Sequence, residues 1–197
     1  MKRICVFCGS SMGFQPVYRE AAVELGKMLA AKNIGLVYGG ANVGIMKVLA
    51  DTVLQNGGEV FGVMPQSLID KEVAHKGLTQ FHIVQSMAER KDMMVQLSDA
   101  FIAMPGGFGT LDELSEILTF NQLRITDKPI GFLNVAAYFD LLFDFIGHGV
   151  NEGFIRKEHQ QNLIVSTDCE SMITSLVNYV PVTIAKWIED IKVESEF

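Results

Sequence analysis

Short apolar runs alternate with longer amphipathic segments along almost the whole chain. Continuous hydrophobic runs bounded by glycine or proline predict strands, and apolar positions that recur every three or four residues predict helices. The predicted strands are 3–8, 34–38, 60–64, 81–84, 100–104, 130–133 and 163–165. The predicted helices are 18–32, 45–55, 88–97, 111–123, 138–146 and 169–178, with an amphipathic tail helix containing Trp187 and Ile188. Residues 70–80 have the least regular pattern and are expected to form a loop near the functional site.

This order of elements predicts an α/β fold. Strands that are apolar throughout are typical of a parallel sheet buried on both faces, and the helices between them are the crossovers that such a sheet needs. We therefore expect a doubly wound, mostly parallel sheet with helices on both faces. No linker-like composition interrupts the alternation, so residues 1–197 are expected to form a single domain with a helical tail at about 181–197.

Composition and charge exclude several classes of protein. The chain has 16 Lys and Arg against 23 Asp and Glu, a formal net charge of −7, and so lacks the basic footprint of a protein that binds long nucleic acids. No apolar run approaches the ~18 residues of a membrane helix, and the stretch after the basic start is too short for a signal peptide. We expect a cytoplasmic protein with no nucleic-acid or membrane partner. Three cysteines provide no disulfide framework, and Cys5 and Cys8 are expected to be buried on opposite faces of the first strand.

Glycines stand where predicted strands end. Six of them follow three strands directly: Gly9, Gly39, Gly40, Gly106, Gly107 and Gly109. Open parallel sheets bind ligands beyond the carboxyl ends of their strands, where glycine lets the backbone approach a phosphate and the next helix offers free N–H groups. A tight turn alone would explain any one of these sites, whereas three such turns favour a nucleotide or sugar-phosphate site. The spacing fits neither G-x-G-x-x-G nor a G-K-[ST] phosphate loop, so a dehydrogenase or an NTPase is not supported.

The segment 104–113 carries the strongest chemical signal. Thr110 and Glu113 have the spacing of a capping box, which would explain both residues structurally. The glycines before them predict an anion cradle, yet a carboxylate beside a phosphate is repelled unless it faces positive charge elsewhere on the ligand. A ribosyl oxocarbenium ion is one such charge, and a capping role does not exclude this use.

A basic pair, Arg90 and Lys91, lies near the start of the helix that follows the fourth strand. The pair is either an ordinary solvated feature or a means of recognising phosphate, carboxylate or a purine edge, to which the planar guanidinium is suited. Arginine does not readily release a proton, so it would orient or stabilise rather than act as an acid. The four histidines show no metal-ligand spacing, and we expect neither a metal nor an organic cofactor.

Together these segments resemble a known family. They read ICVFCGSS at 4–11, LVYGG at 36–40, RK at 90–91 and PGGFGTLDE at 105–113, with further matches at 128–131, 133–134 and 152–155. The chain resembles the LOG (Lonely Guy) family of cytokinin riboside 5′-monophosphate phosphoribohydrolases, often mislabelled lysine decarboxylases. The resemblance runs from about residue 3 to residue 166. It implies a Rossmann-like fold, a homodimer, and hydrolysis of an N6-modified AMP to free base and ribose 5-phosphate.

The resemblance also implies roles for individual residues. Arg90 and Glu113 would be the catalytic pair, residues 107–110 would cradle the phosphate, and Lys91, Glu72 and Thr119 would be further ligand contacts. The remaining expected substrate contacts lie in or beside the glycine turns: Gly9, Ser10, Gly39, Gly40, Gly106, Gly107, Phe108, Gly109, Thr110, Leu111 and Asp112. A carboxylate at the sugar suits this chemistry, because it stabilises the charge that develops as the purine leaves and orients or deprotonates water.

Two positions depart from the family pattern and leave the base preference open. Ala88 stands where histidine is common, and Lys47 stands where a small residue is common. Lys47 either reaches the phosphate or lies exposed on its helix. A general purine nucleoside-monophosphate (AMP) nucleosidase is the closest alternative function, and a nucleotide or cofactor carrier without turnover is another.

The segment 138–146 bears on the oligomeric state. Seven of its nine residues are large and apolar, and they surround the predicted helix. Such a helix is either wholly buried or covered by a partner subunit. The helix after Thr110 is a second candidate interface, by resemblance.

Overall fold

A computed structural model describes residues 1–69 and 74–181. The predicted tail helix with Trp187 and Ile188, and the expected ligand contact Glu72, lie outside the described residues. The strands are β1 (Arg3–Phe7), β2 (Gly35–Tyr38), β3 (Val60–Pro65), β4 (Gln80–Val84), β5 (Ala100–Ala103), β6 (Ile130–Leu133) and β7 (Ile164–Ser166). The α-helices are α1 (Pro16–Ala31), α2 (Gly44–Gln55), α3 (Gln66–Ile69), α4 (Met87–Leu97), α5 (Phe108–Gln122), α6 (Asp140–Asn151), α7 (Lys157–Gln161) and α8 (Cys169–Val177). A short 3-10 turn, Val135–Ala137, lies between β6 and α6.

The strands of the described chain form one seven-stranded sheet in the order β4-β3-β2-β1-β5-β6-β7. Every neighbouring pair is parallel, which confirms the predicted doubly wound α/β fold. The chain builds outward from β1 to β4 and then crosses back to place β5 on the other side of β1. This reversal is the switch point at which open α/β sheets bind their ligands. Phe7 of β1 pairs with Ala103 of β5, so the turns after these two strands begin at the same level.

Two hydrophobic layers cover the sheet. On one face Ile4 and Val6 of β1 pack with α1, α2 and α8, and on the other Cys5 and Phe7 pack with α4 and α5. The alternation arises because successive side chains of a strand point to opposite faces. The predicted separation of Cys5 and Cys8 is confirmed, since they belong to different layers and both are buried and unpaired.

Several helix boundaries differ from the predicted ones. Helix α5 begins at Phe108 rather than 111, because the glycine turn itself enters the helix. The two short helices α3 and α7 were not predicted, since four or five mostly polar residues carry no measurable periodicity. Among the helices of residues 1–69 and 74–181, none is long and apolar enough to cross a membrane.

Helix α6 is not wholly buried. Ile146 is its one buried residue, whereas Leu141 is 82% exposed and Phe145 is 66% exposed. The alternative that the helix predicted at 138–146 is wholly buried is therefore wrong for the isolated chain. Its outer apolar face is left without cover by the described residues of this chain.

Candidate active site

Three glycine turns meet at the carboxyl edge of the sheet. Because β1 lies between β2 and β5, the turns after these strands are neighbours although they are far apart in sequence. The Gly9 amide donates to the Pro105 carbonyl at 3.1 Å, and the Gly9 carbonyl accepts from the Ile45 amide at 3.1 Å. The turn after β1 is thereby tied both to the turn after β5 and to the start of α2.

Gly44 keeps these segments close together. It adopts a φ of 56°, in the left-handed region that favours glycine, and a Cβ at this position would overlap the backbone of Ser10. The Ser10 residue is exposed at the rim of the edge where the turns meet.

Arg90 of α4 is fixed by two backbone carbonyls, one within β3 and one directly after β2. Its Nε donates to the carbonyl of Val63 at 3.0 Å, and its Nη2 donates to the carbonyl of Gly39 at 3.2 Å. The guanidinium leaves no room for a side chain at Gly39, because a Cβ there would overlap Nη2. Helix α4 itself is anchored one turn earlier by Ser86, whose hydroxyl accepts from the Glu89 amide at 3.1 Å.

Glu113 lies opposite Arg90, on the first turns of α5. Its Oε1 is 3.6 Å from Nη1 of Arg90, and both side chains are largely buried. Burial of the carboxylate raises the pKa of Glu113 to about 7, although the Arg90 charge opposes this effect. A carboxyl group poised near neutral pH can exist as either acid or base under physiological conditions.

The predicted capping box is wrong. The residue that caps α5 is Gly107, and Thr110 is already the third residue of the helix, where it is buried. A Cβ on Gly106 would overlap the Thr110 hydroxyl, so this threonine packs over the glycine turn. Glu113 is consequently free of a capping role and faces Arg90 instead.

The ammonium group of Lys91 is paired with two acidic side chains of α5. Its ammonium group lies 3.2 Å from Oδ2 of Asp112 and 3.1 Å from Oε1 of Glu116. Desolvation works to lower the pKa of Lys91, but its hydrogen bonds with Glu116 and Asp112 prevail and raise it. The lysine joins α4 to α5 and partly offsets the negative charge beside Glu113. Glu116 was missed by the sequence analysis, although its position one turn after Asp112 and Glu113 placed it on the same side of the helix.

The glycine turn before α5 presents backbone to open space. A Cβ on Gly107 or Gly109 would meet nothing within 4 Å, and Phe108 between them is 92% exposed. Leu111 and Asp112 are also exposed on the first turn. The first N–H groups of a helix have no partner within the helix and carry its positive dipole end, so this turn has the chemistry of an anion site.

Two expected contacts lie elsewhere. Thr119 is exposed, its hydroxyl donates to the Ser115 carbonyl at 2.8 Å, and it stands two turns beyond Glu113, about 9 Å along the helix axis. The structure therefore does not bring Thr119 to the Arg90–Glu113 pair within one chain. Lys47 extends along α2 to Asp51, and its side chain is 46% exposed. This supports the alternative that Lys47 lies exposed on its helix and does not reach the phosphate.

Comparison with known proteins identifies the family. The family model described as "Possible lysine decarboxylase" matches residues 46–176. The probable cytokinin riboside 5′-monophosphate phosphoribohydrolase LOGL9 of Oryza sativa subsp. japonica is 46% identical over 181 residues, which cover 92% of this chain and 80% of that protein. The chain belongs to the LOG family. LOG1 of Arabidopsis thaliana, named a cytokinin riboside 5′-monophosphate phosphoribohydrolase, is 44% identical over 180 residues, 91% of this chain and 84% of that protein.

Solved structures show the same fold in more distant proteins than these LOG relatives. The molybdenum cofactor binding protein from Rippkaea orientalis has a TM-score of 0.67 and 23% identity, covering 90% of this chain and 99% of that chain. The Moco carrier protein from Chlamydomonas reinhardtii has a TM-score of 0.65 and 19% identity, covering 89% and 95%. At this level of identity the likeness concerns the Rossmann-like fold and not the ligand.

Proposed function

We propose that this LOG protein hydrolyses the N-glycosidic bond of an N6-modified adenosine 5′-monophosphate, releasing the free base and ribose 5-phosphate. The relatives named above carry this activity in their names. The observation that carries the proposal is the buried carboxylate of Glu113, held 3.6 Å from Arg90 beside an exposed glycine turn. A phosphate on that turn would leave the sugar of the nucleotide within reach of the carboxylate.

The reaction needs negative charge beside the sugar. As the bond between the base nitrogen and the ribose carbon breaks, the base takes both electrons and the sugar becomes oxocarbenium-like. Ionised Glu113 stabilises that cation and accepts a proton from the water whose oxygen forms the new bond to the sugar carbon. The departing base is protonated in turn, so that one water molecule is consumed and its two hydrogens are distributed between the products.

Arg90 is proposed to favour the ionised form of the Glu113 carboxylate and to orient it. Burial alone would keep Glu113 protonated, and the Arg90 charge shifts the balance toward the ionised form. Arginine remains protonated in proteins, so its role is to hold and orient the carboxylate and the nucleotide rather than to supply a proton. Its two hydrogen bonds to backbone carbonyls keep the guanidinium in place without a ligand.

The phosphate is proposed to lie on residues 107–110, with the turns after β1 and β2 completing the cradle. Gly9, Ser10, Gly39 and Gly40 belong to these two turns, and the first two are adjacent to the β5 turn through the bond from Gly9 to Pro105. Backbone N–H groups provide the attraction, so the acidic net charge of the chain does not oppose binding of one phosphate.

One assay separates the possible activities. The purified protein is incubated with AMP and, separately, with isopentenyladenosine monophosphate, and the free base is quantified by chromatography. Release mainly from the isopentenyl nucleotide is the expected result. Equal or preferred release from AMP would indicate a general nucleosidase, and tight binding without release from either would indicate a carrier. Glu113→Gln should bind and not turn over, whereas Glu20→Gln, on the exposed side of α1, is the matched control.

We further propose that the protein is a homodimer. The support is the uncovered apolar face of α6, where Leu141 and Phe145 are mostly exposed, and Phe154 after that helix is 87% exposed. A second copy of the chain is the partner expected from the family resemblance. The three unpaired, buried cysteines are typical of a reducing compartment and support the proposed cytoplasmic location.

A further inference from the structure

A tyrosine that is distant in sequence contacts the glycine turn. The hydroxyl of Tyr138 donates to the carbonyl oxygen of Gly106 at 2.5 Å, and 32 residues separate the two positions. Tyr138 follows β6, which lies beside β5 in the sheet, so the fold brings the two turns together. The proposed reaction leaves this hydrogen bond without a role.

The segment that carries Tyr138 is held in a strained conformation. Ala136 and Ala137 have φ angles of 51° and 58°, in the left-handed region, which is energetically costly for residues other than glycine. The buried side chain of Asn134 offsets this cost, because its amide oxygen accepts from the Phe139 amide at 2.8 Å and its NH₂ group donates to Asp140 at 2.7 Å. The backbone is thus fixed on both sides of Tyr138, and the ring also packs against Tyr18, with ring centroids 5.9 Å apart.

The direction of the Gly106 carbonyl decides which way the N–H group of Gly107 points. The carbonyl of Gly106 and the N–H of Gly107 belong to one planar trans peptide, so they point in opposite directions. Holding the carbonyl toward Tyr138 turns the Gly107 N–H to the opposite side of the turn. A peptide between two glycines reverses its orientation easily, because both residues tolerate most backbone angles. In the reversed orientation the carbonyl oxygen would face the anion site and repel a phosphate.

We propose that Tyr138 is a positioning residue that locks the Gly106–Gly107 peptide, so that its N–H group faces the phosphate of the bound nucleotide. The inference rests on the proposed function, because that function places a phosphate on this turn. Tyr138 acts through the glycine peptide, and its loss weakens recognition of the phosphate while the Arg90–Glu113 pair is left in place. Sequence alone carries no signal for this contact, since nothing in the local pattern of residues 134–139 points to Gly106.

The test compares ligands with and without a phosphate in Tyr138→Phe, which removes the hydroxyl and keeps the ring. Calorimetry with ribose 5-phosphate is expected to show about tenfold weaker binding, a size consistent with loss of one hydrogen bond. Adenosine, which has no phosphate, should bind as it does to the unchanged protein. The KM for the nucleotide should rise by a similar factor, with kcat changed less than about twofold. The control is Tyr18→Phe, since the Tyr18 hydroxyl has no hydrogen bond to the described residues, and it should leave all four quantities unchanged.

Affinity for ribose 5-phosphate that is unchanged in Tyr138→Phe would overturn the inference, even if the melting temperature falls. Equal weakening of ribose 5-phosphate and adenosine would also overturn it, because a lock on one peptide acts on the phosphate alone. If Tyr138→Phe weakens binding of ribose 5-phosphate alone and the unchanged protein releases no base, the proposed function is refuted and this inference still stands. If the variant does not fold, ¹⁵N-labelled unchanged protein supplies the test: ribose 5-phosphate must shift the Gly107 amide resonance, and an unmoved resonance overturns the lock.

Discussion

Turnover by the proposed hydrolase is expected to follow the ionisation of Glu113. The carboxylate is the form that stabilises a sugar cation and accepts a proton from water, so protonation should stop the reaction. Burial raises the pKa of this residue to about 7, despite the opposing charge of Arg90. The activity should therefore fall as the pH is lowered through neutrality rather than through the range of an ordinary glutamate.

The size of the effect follows from that value. With a pKa of about 7, about half of the molecules carry ionised Glu113 at pH 7, about a tenth at pH 6 and about a hundredth at pH 5. The value of kcat/KM, which reports ionisations of the free enzyme, should thus drop about fiftyfold between pH 7 and pH 5 and rise less than about twofold above pH 7. An unperturbed glutamate, with a pKa of 4.5, would lose only about a quarter of its activity over the same interval.

The assay measures kcat/KM against pH, and the ionisation of the substrate phosphate near pH 6 is titrated separately and divided out of the profile. Glu113→Gln should show little turnover at any pH and retain binding of the nucleotide, while Glu20→Gln should reproduce the original profile. A profile that is flat from pH 5 to 8 would contradict the raised pKa of Glu113, and a profile that rises toward acid pH would refute the role of the carboxylate as base and favour a protonated Glu113 as acid.

Glu113 also leads to a prediction about stability. Activity is expected to rise with pH, whereas the stability of the folded protein is expected to fall. Because the folded-state pKa is above the ordinary 4.5, the proton is held more tightly in the folded protein and ionisation favours unfolding. This destabilisation is absent at low pH, grows between about pH 4.5 and pH 7, and stays on the order of 3 kcal/mol above that. Urea unfolding at pH 8 should therefore show Glu113→Gln to be more stable than the original protein, with the difference vanishing near pH 4. Equal stability of the two proteins at pH 8 would contradict a buried, ionised carboxylate.

Three further changes test the surroundings of this residue. Gly39→Ala should lower kcat about a hundredfold, because its Cβ overlaps the guanidinium that orients the carboxylate, whereas Gly147→Ala, in the open part of α6, should not change kcat. Lys91→Met should move the midpoint of the pH profile toward alkaline pH and Glu116→Gln should move it toward acid pH, since the lysine charge lowers and the glutamate charge raises the pKa of Glu113. Leu141→Asp should convert the proposed dimer to a monomer of 21.8 kDa in light scattering without unfolding it, because the side chain is 82% exposed in the single chain.

Each of these changes has an outcome that contradicts its reasoning. Full activity of Gly39→Ala would mean that the guanidinium position is not needed for turnover. Shifts of the two pH midpoints in the same direction would contradict the proposed electrostatic coupling. An unchanged mass for the Leu141 variant would place the subunit interface away from the outer face of α6, and the exposed side of α5 would be the next surface to test.

The hydrophobic periodicity of the chain predicted most of the fold. Continuous apolar runs predicted all seven strands because a parallel sheet covered on both faces buries the side chains of its inner strands, as in β2, β5 and β6. Boundaries were less well predicted where chemistry, not hydrophobicity, fixes them. The start of α5 at Phe108 is set by a glycine turn whose exposed residues have no helical pattern, and this error made Thr110 and Glu113 look like a capping box.

The residue types of the site could be read from the sequence, but their arrangement could not. Glycines after strands and the carboxylate of Glu113 pointed to a phosphate and a cationic sugar, Arg90 and Lys91 were candidates for recognising phosphate, carboxylate or a purine edge, and the family resemblance named the residues. Whether Arg90 meets Glu113 depends on contacts with the carbonyls of Gly39 and Val63, 51 and 27 residues away, which no local pattern contains. The position of Lys91, an expected ligand contact, between Asp112 and Glu116 is likewise absent from any local pattern.

The sequence by itself determined the class of fold through its hydrophobic periodicity and the kind of ligand through its glycine placement, because both are local properties of the chain. The family followed from the resemblance of its motif segments. Only the tertiary structure decided that β5 lies beside β1, which brings the turns after both strands to one edge. It also decided that burial raises the pKa of Glu113, and that Tyr138 reaches Gly106 from the next strand. Desolvation and long-range hydrogen bonds depend on which segments exclude water from one another, and that is fixed only when the sheet is assembled.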